Sequence, residues 1–143
     1  MIHSTTEITS TSIGSDNPIH QRLLFAYIVA QQYVQGNLLE IGCGVGRGID
    51  LMVEKAQNYT ALDKNTEVLA ALAKKYPNCT FQEANVPPLT GMADNQFDCV
   101  VSFQVIEHIE NDHLFLQEIY RVLKPGGFII ITTPNKDLSL SRN

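Results

Sequence analysis

The chain has 143 residues, of which 44% are hydrophobic and 17% charged, a composition typical of one globular domain and not of a disordered, collagen-like or coiled-coil chain. Its 15 acidic and 10 basic side chains give a formal net charge of −5, and because the basic residues are scattered we expect no nucleic-acid partner. The sequence has neither the roughly 18-residue apolar run of a membrane span nor an apolar secretory signal, so we expect a cytoplasmic protein.

The N-terminal segment differs in pattern from the rest of the chain. Residues 1–16 are rich in Ser and Thr and have no periodic apolar pattern, so we expect a mobile arm there. The domain itself is expected to occupy residues 17–143. It begins with a predicted helix in which Asn17 is the N-cap, Pro18 takes the first helical position, and apolar residues recur at helical spacing as far as Val34.

Short apolar runs then alternate with amphipathic segments. The predicted strands are 38–41, 59–62, 79–81, 98–103 and 128–133. The predicted helices between them carry apolar residues spaced three or four apart: Ile49, Met52, Val53 and Ala56; Leu69, Leu72, Ala73 and Tyr76; and Leu116, Ile119, Tyr120 and Leu123. Asn65 is the expected cap of the second of these helices, Asn111 or Asp112 starts the third, and the turn 124–127 ends it. This alternation predicts an α/β fold, a Rossmann-like parallel sheet with helices on both faces.

The three cysteines do not form a recognisable metal or redox motif. Cys43, Cys79 and Cys99 are odd in number and far apart, and no Cys-x-x-Cys pair is present. All three lie in or beside predicted strands, so we expect free, buried thiols in a reducing compartment.

A glycine-rich segment, Glu40–Gly48, joins the first predicted strand to the next helix. Glycines allow a sharp turn and close approach of a ligand, and the helix N-terminus offers backbone N–H groups. The segment lacks the G-x-G-x-x-G spacing of dinucleotide sites and the Gly-Lys-Ser/Thr of phosphate-binding loops. A carboxylate two residues before the first glycine disfavours a polyphosphate and favours an ammonium or sulfonium ligand.

The stretch 39–46, Leu-Glu-Ile-Gly-Cys-Gly-Val-Gly, resembles motif I of the class I S-adenosylmethionine (SAM)-dependent methyltransferases. Four further segments resemble later motifs of that family in the same order: Asp63, Asn85-Val86, 97–108 and 121–127. The resemblance extends over residues 20–134 and is closest to the small-molecule group that includes quinone-pathway O-methyltransferases. It implies a strand order of 3-2-1-4-5 and methyl transfer from SAM, with S-adenosylhomocysteine (SAH) as product, to an oxygen or nitrogen of a small molecule by in-line displacement.

The same resemblance implies a set of cofactor-binding residues: Glu40, Gly42, Cys43, Gly44, Gly46, Asp63, Lys64, Asn85, Val86 and Gln104. The four loop residues 42, 43, 44 and 46 would line the methionine end of SAM, with Glu40 fixing the loop and the amino group. Asp63 would accept hydrogen bonds from the ribose hydroxyls, because a carboxylate has two acceptor oxygens. Asn85 and the Val86 N–H would contact adenine. Two alternatives stay open: the glycines form only a tight turn, and Asp63 only caps the next helix.

Candidate catalytic residues follow the fourth predicted strand. Gln104 is expected beside the sulfonium and the methyl acceptor, and His108 is a candidate general base for a hydroxyl acceptor. Glu107-His108 has the alternative role of starting a helix. In some quinone O-methyltransferases the position of Gln104 holds an acid of a divalent-metal site, so with Gln there we expect no metal. Two residues of the first helix complete the set: Arg22, either a partner of the SAM carboxylate or a surface residue, and His20, near the cofactor entrance.

The length leaves other functions open. Class I methyltransferases have seven strands, whereas this sequence predicts five, so strands 6 and 7 are expected to be missing and the chain to be a fragment or a truncated copy. A non-catalytic SAM-binding or interaction module, or an inactive truncated enzyme, is therefore the alternative function, and a nucleotide-binding oxidoreductase domain is a third. The fifth strand would form an exposed apolar edge, which favours self-association or a homodimer.

Overall fold

The computed structural model describes residues 18–134, so the predicted arm at 1–16 and the predicted cap at Asn17 lie outside the described residues. The helices are α1 (Pro18–Ala30), α2 (Ile49–Val53), α3 (Thr66–Lys75) and α4 (Asp112–Val122). The strands are β1 (Asn37–Ile41), β2 (Asn58–Asp63), β3 (Thr80–Glu83), β4 (Phe97–Phe103) and β5 (Leu123–Thr132). Across this part of the chain, no helix is long and apolar enough to cross a membrane.

The five strands form one sheet in the order β3-β2-β1-β4-β5, and every neighbouring pair is parallel. This arrangement confirms the α/β fold that the sequence predicts and the strand order that the resemblance implies. The chain adds β2 and β3 on one side of β1 and then crosses to add β4 and β5 on the other. Ligands of open α/β sheets bind at such a reversal, outside the carboxyl ends of the strands.

The sheet is covered on both faces because neighbouring residues of a strand point to opposite sides. Leu38 packs on one side with α1, α2 and α3, in the cluster that contains Tyr27 and Leu72. Leu39 and Ile41 pack on the other side with the buried residues of α4. The strand β1, which carries the glycine loop at its end, is therefore the centre of both hydrophobic clusters.

Helix α4 packs on a different face from the one that the sequence predicts. Leu116 and Tyr120 are 43% and 83% exposed, whereas Phe115, Ile119 and Val122 are buried against the sheet. The prediction is wrong for Leu116 and Tyr120 because the helix carries two overlapping apolar stripes, and the sheet selects the one that includes Phe115.

The side-chain caps of α3 and α4 lie where the sequence predicts them, whereas strand β5 begins earlier than predicted. The side chain of Asn65 accepts hydrogen bonds from the first turn of α3, and that of Asn111 accepts one from the backbone N–H of Leu114. Strand β5 begins at Leu123 instead of residue 128, because the predicted turn 124–127 bulges between two pairing positions of β4 and β5.

The cysteines carry free thiols, as predicted. Cys43 and Cys99 are buried, but Cys79 is only half-buried, which corrects the expectation that all three are enclosed. Burial raises the pKa of the Cys43 thiol, and the nearby carboxyls of Glu40 and Asp63 raise it further. We therefore expect the Cys43 thiol to be protonated at neutral pH.

Candidate functional site

The predicted site residues come together at one edge of the sheet. The glycine loop follows β1, Asp63 is the last residue of β2, Asn85 lies two residues after β3, and Gln104 comes directly after β4. Because all these strands are parallel, their carboxyl ends lie on the same edge. The fold thus gathers segments that are more than sixty residues apart in the chain.

The glycine loop folds back over the end of β2. The backbone N–H groups of Gly42 and Cys43 both donate to the carbonyl oxygen of Leu62, at 2.8 and 3.2 Å. The N–H of Gly46 donates to the carbonyl of Cys43 at 3.0 Å, which closes a turn. A Cβ at Gly42 would lie 2.4 Å from Cγ2 of Val105, so the loop also packs closely against the segment that follows β4.

Gly44 is half-buried and has open space where a side chain would extend. Its φ is +54°, in the left-handed region that favours glycine, and a Cβ built there would meet no atom within 4 Å. Its N–H donates to Oδ2 of Asp63 at 2.9 Å, and Oδ1 of Asp63 accepts from the N–H of Asn65 at 3.1 Å. A carboxylate has about four acceptor positions, so Asp63 retains two for hydroxyl groups of a ligand.

Glu40 occupies a different environment from Asp63. Only 1% of it is exposed, and it lies between α1 and β2. The hydroxyl of Tyr27 donates to Oε2 of Glu40 at 2.5 Å, and that of Tyr59 donates to Oε1. Burial raises the pKa of Glu40 to about 7, while the two tyrosine hydrogen bonds act in the opposite direction. Its predicted contact with a ligand amino group stays a prediction.

Gln104 places an unpaired acceptor at the end of β4. Its φ is +59°, its N–H donates to the carbonyl of Thr132 at 2.9 Å, and its Nε2 donates to the Thr132 hydroxyl at 3.3 Å. Its Oε1 is buried and has no hydrogen-bond partner among residues 18–134. A buried acceptor without a donor is costly, so this oxygen is suited to receive an N–H or O–H from a ligand.

The predicted adenine residues lie at the end of β3. Asn85 is exposed and lines a cavity of about 270 Å³ together with Gln82, Glu83, Ala84, Pro88 and Thr90. The side chain of Val86 is half-buried against the cluster on the α4 side of the sheet, which leaves its backbone as the group available to a ligand. Lys64 is exposed next to Asp63.

The histidines differ in how they relate to the loop. His108 ends a 3₁₀ turn, Ile106–His108; its side chain is 48% exposed, and its Nε2 is 3.9 Å from Oε2 of Glu107. His20 accepts a hydrogen bond at Nδ1 from Nε of Arg47 at 2.9 Å, which brings the start of α1 against the glycine loop. Arg22 is exposed. Within the described part of the chain, no group of three His, Cys, Asp or Glu side chains is arranged to hold a metal ion.

The sequence does not reveal three hydrogen bonds near the loop. Two are donated to Glu40 by Tyr27 and Tyr59, and the third is donated to His20 by Arg47. Both tyrosines occupy apolar positions of a predicted helix and strand, where they count as core residues. The one available signal is Glu40 itself, since a carboxylate within an apolar strand requires hydrogen-bond donors when it is buried.

Comparisons with known proteins agree with this arrangement. Residues 39–131 match the family model described as "Methyltransferase domain". The chain is 36% identical to a probable S-adenosylmethionine-dependent methyltransferase of Mycolicibacterium smegmatis, over 82% of this chain and 43% of that protein. It is 29% identical to a ubiquinone biosynthesis O-methyltransferase of Paracidovorax citrulli, over 84% of this chain and 54% of that protein.

A solved structure shares the fold. The S-adenosylmethionine dependent methyltransferase of Mesorhizobium loti superimposes with a TM-score of 0.67 at 23% identity, over 76% of this chain and 53% of that one. This chain spans about half the length of the two curated relatives named above.

Proposed function

This chain belongs to the class I family of SAM-dependent methyltransferases, and from this membership we propose that it binds SAM and transfers the methyl group to a small-molecule acceptor. The observation that carries the proposal is the open space over Gly44, bordered by the Asp63 carboxylate. A side chain at residue 44 would fill the space that the methionine part of the ligand needs, and glycine has no side chain there.

The chain's own residues supply the binding contacts of this proposal. Asp63 receives the two ribose hydroxyls at the acceptor positions that Gly44 and Asn65 leave open. Asn85 and the backbone N–H of Val86 receive adenine at the cavity beyond β3. Lys64 lies at the exposed rim beside Asp63. Gly42, Cys43 and Gly46 shape the loop: the N–H groups of Gly42 and Cys43 hold it against β2, and that of Gly46 closes its turn.

SAM, when bound, supplies a methyl group activated by a positively charged sulfur. The protein's main task is then to align the acceptor and exclude water, which is worth roughly 7–11 kcal/mol in favourable cases. The unpaired Oε1 of Gln104 accepts a hydrogen bond from the acceptor molecule at the end of β4. If the acceptor is a hydroxyl, a ring nitrogen of His108 takes its proton. The reaction needs no metal, and Gln104 lacks the carboxylate that a hard divalent ion prefers.

Titration calorimetry with SAH, with NAD in a parallel titration, tests the cofactor part of this proposal. We expect SAH to bind and NAD not to bind. The reverse result would favour a nucleotide-binding oxidoreductase domain. Incubation with methyl-labelled SAM and a panel of phenols, amines and carboxylic acids then tests the reaction. Binding of SAH without labelled product from any acceptor would favour the non-catalytic module.

We further propose that β5, which lies at the edge of the sheet that residues 18–134 form, pairs with a second copy of the chain. Its residues Phe128–Ile131 are apolar and half-buried, and unpaired apolar edge strands tend to associate. Light scattering over a wide concentration range should show dimers, and a monomer throughout would contradict this proposal.

We also propose a cytoplasmic location and no nucleic-acid partner. The free thiols favour a reducing compartment, and the net charge of −5 disfavours a phosphate backbone.

A further inference from the structure

Tyr27 of α1 lies where three parts of the site meet. Its hydroxyl donates to Glu40, the residue two positions before the first loop glycine. Its ring packs edge-to-face against Phe103, with 4.8 Å between the centroids, and Phe103 directly precedes Gln104. A Cβ built at Gly48 would lie 1.9 Å from the Tyr27 ring, so the ring also rests on the last residue of the loop.

Tyr59 donates to the same carboxylate but belongs to a different kind of element. It lies in β2, and the parallel pairing of Leu38 with Tyr59 joins it to β1 through the sheet backbone. Tyr27 lies in a helix whose attachment to the loop depends on side chains. The side-chain contacts of α1 with the loop region include the Tyr27 hydroxyl and ring, and the hydrogen bond that Arg47 donates to His20.

We propose that Tyr27 is a positioning residue that, through Glu40 and Gly48, holds α1 against the glycine loop and keeps the loop in the conformation that receives SAM. The inference rests on the proposed SAM site. The family resemblance places Glu40 at the ligand; here each of its oxygens accepts from a tyrosine hydroxyl, and only 1% of the residue is exposed. Glu40 therefore acts on the ligand through the elements that it joins.

The electrostatics around Glu40 are consistent with this coupling. The groups that face it are the hydroxyls of Tyr27 and Tyr59, the Cys43 thiol and the Asp63 carboxylate, while Arg47 interacts with Tyr27. Each tyrosine hydrogen bond favours the charged form of Glu40 and so lowers its pKa. Removal of either hydroxyl raises the pKa of Glu40, so the two substitutions change this pKa in the same direction. The two tyrosines differ in which element they attach.

The matched pair Tyr27→Phe and Tyr59→Phe separates docking of α1 from the charge of Glu40. Each variant loses one hydroxyl bonded to the same carboxylate and keeps the aromatic ring. We expect Tyr27→Phe to weaken SAH binding about fivefold in calorimetry, because the affinity falls with the fraction of molecules in which the loop is competent. Tyr59→Phe should stay within about twofold of the unchanged chain.

Hydrogen exchange of the ligand-free proteins gives a readout that does not depend on SAH. Under conditions where thermal unfolding shows both variants fully folded, we expect faster exchange of the amides in 42–48 and α1 for Tyr27→Phe alone. Equal changes in the two variants, or no change in either, would overturn the inference. If the unchanged chain does not bind SAH, the proposed function fails, and the exchange comparison still decides the role of Tyr27.

Discussion

Replacing Glu40 with Gln tests whether the free-energy cost of burying the Glu40 carboxyl group depends on pH. Burial raises the pKa of Glu40 from 4.5 to about 7, against the opposing effect of the two tyrosine hydrogen bonds. Between these two values the folded chain retains a proton that the unfolded chain releases. Each pKa unit is worth about 1.4 kcal/mol, so this group alone lowers the free energy of unfolding by about 3 kcal/mol as the pH rises through that range.

The sign of this effect distinguishes it from that of an ordinary ion pair. Because the folded pKa is raised, the stability from Glu40 is complete below about pH 4.5 and is lost as the pH rises through about 7. Glu40→Gln has no group to titrate there. Urea denaturation at pH values between about 5 and 8 should therefore show the variant gaining roughly 2–3 kcal/mol relative to the unchanged chain.

Glu118→Gln is the matched control for this experiment. Hydrogen bonding to Arg121 lowers the pKa of Glu118, so its titration lies below the tested range and its stability difference should not vary with pH. A difference between Glu40→Gln and the unchanged chain that is constant from about pH 5 to 8 would refute the reasoning.

Three further substitutions test the loop and its acid. Gly48→Ala places a Cβ 1.9 Å from the ring of Tyr27, and we expect urea denaturation to show that the free energy of unfolding falls by about 1–3 kcal/mol. Adding Tyr27→Leu should recover part of this loss, whereas additive losses in the double variant would argue against the clash. Gly44→Val puts a branched side chain at a φ of +54° in the space over the loop, and should weaken SAH binding by about tenfold or more; normal binding in calorimetry would mean that the ligand lies elsewhere. Asp63→Ala should weaken SAH binding about ten- to a hundredfold through lost charge-assisted hydrogen bonds, and unchanged affinity would exclude the ribose role.

The sheet could be predicted from the sequence because buried parallel strands are apolar on both faces. Short runs such as Leu38–Ile41 can be recognised without knowledge of their partners, and the side-chain caps at Asn65 and Asn111 depend only on local sequence. The buried face of α4 depends on what the helix meets. Its apolar residues fit a stripe through Leu116 and Tyr120 as well as the buried stripe through Phe115, and only the position of the sheet distinguishes them.

The site could be predicted only in part, for a related reason. The glycine loop and Asp63 lie at strand ends, and a parallel sheet gathers strand ends at one edge whatever the details of packing. The partners of Glu40 come from residues 13 positions earlier and 19 positions later, and both are tyrosines at apolar positions. Nothing in their spacing distinguishes a hydroxyl that meets a buried carboxylate from a ring that fills the core.

The two acids beside the loop have opposite environments, and from this difference we infer different roles for them. Asp63 is half-buried and uses one acceptor position on each oxygen, for the N–H groups of Gly44 and Asn65, so a ligand hydroxyl can be added without breaking a bond within the protein. At Glu40 a ligand would have to pass a nearly closed surface, because only 1% of the residue is exposed. We therefore expect Asp63 to be the acid that contacts the ligand. Glu40 then influences ligand affinity only through the loop that follows it. We therefore expect Glu40→Gln to change the pH dependence of stability and to remove no direct ligand contact.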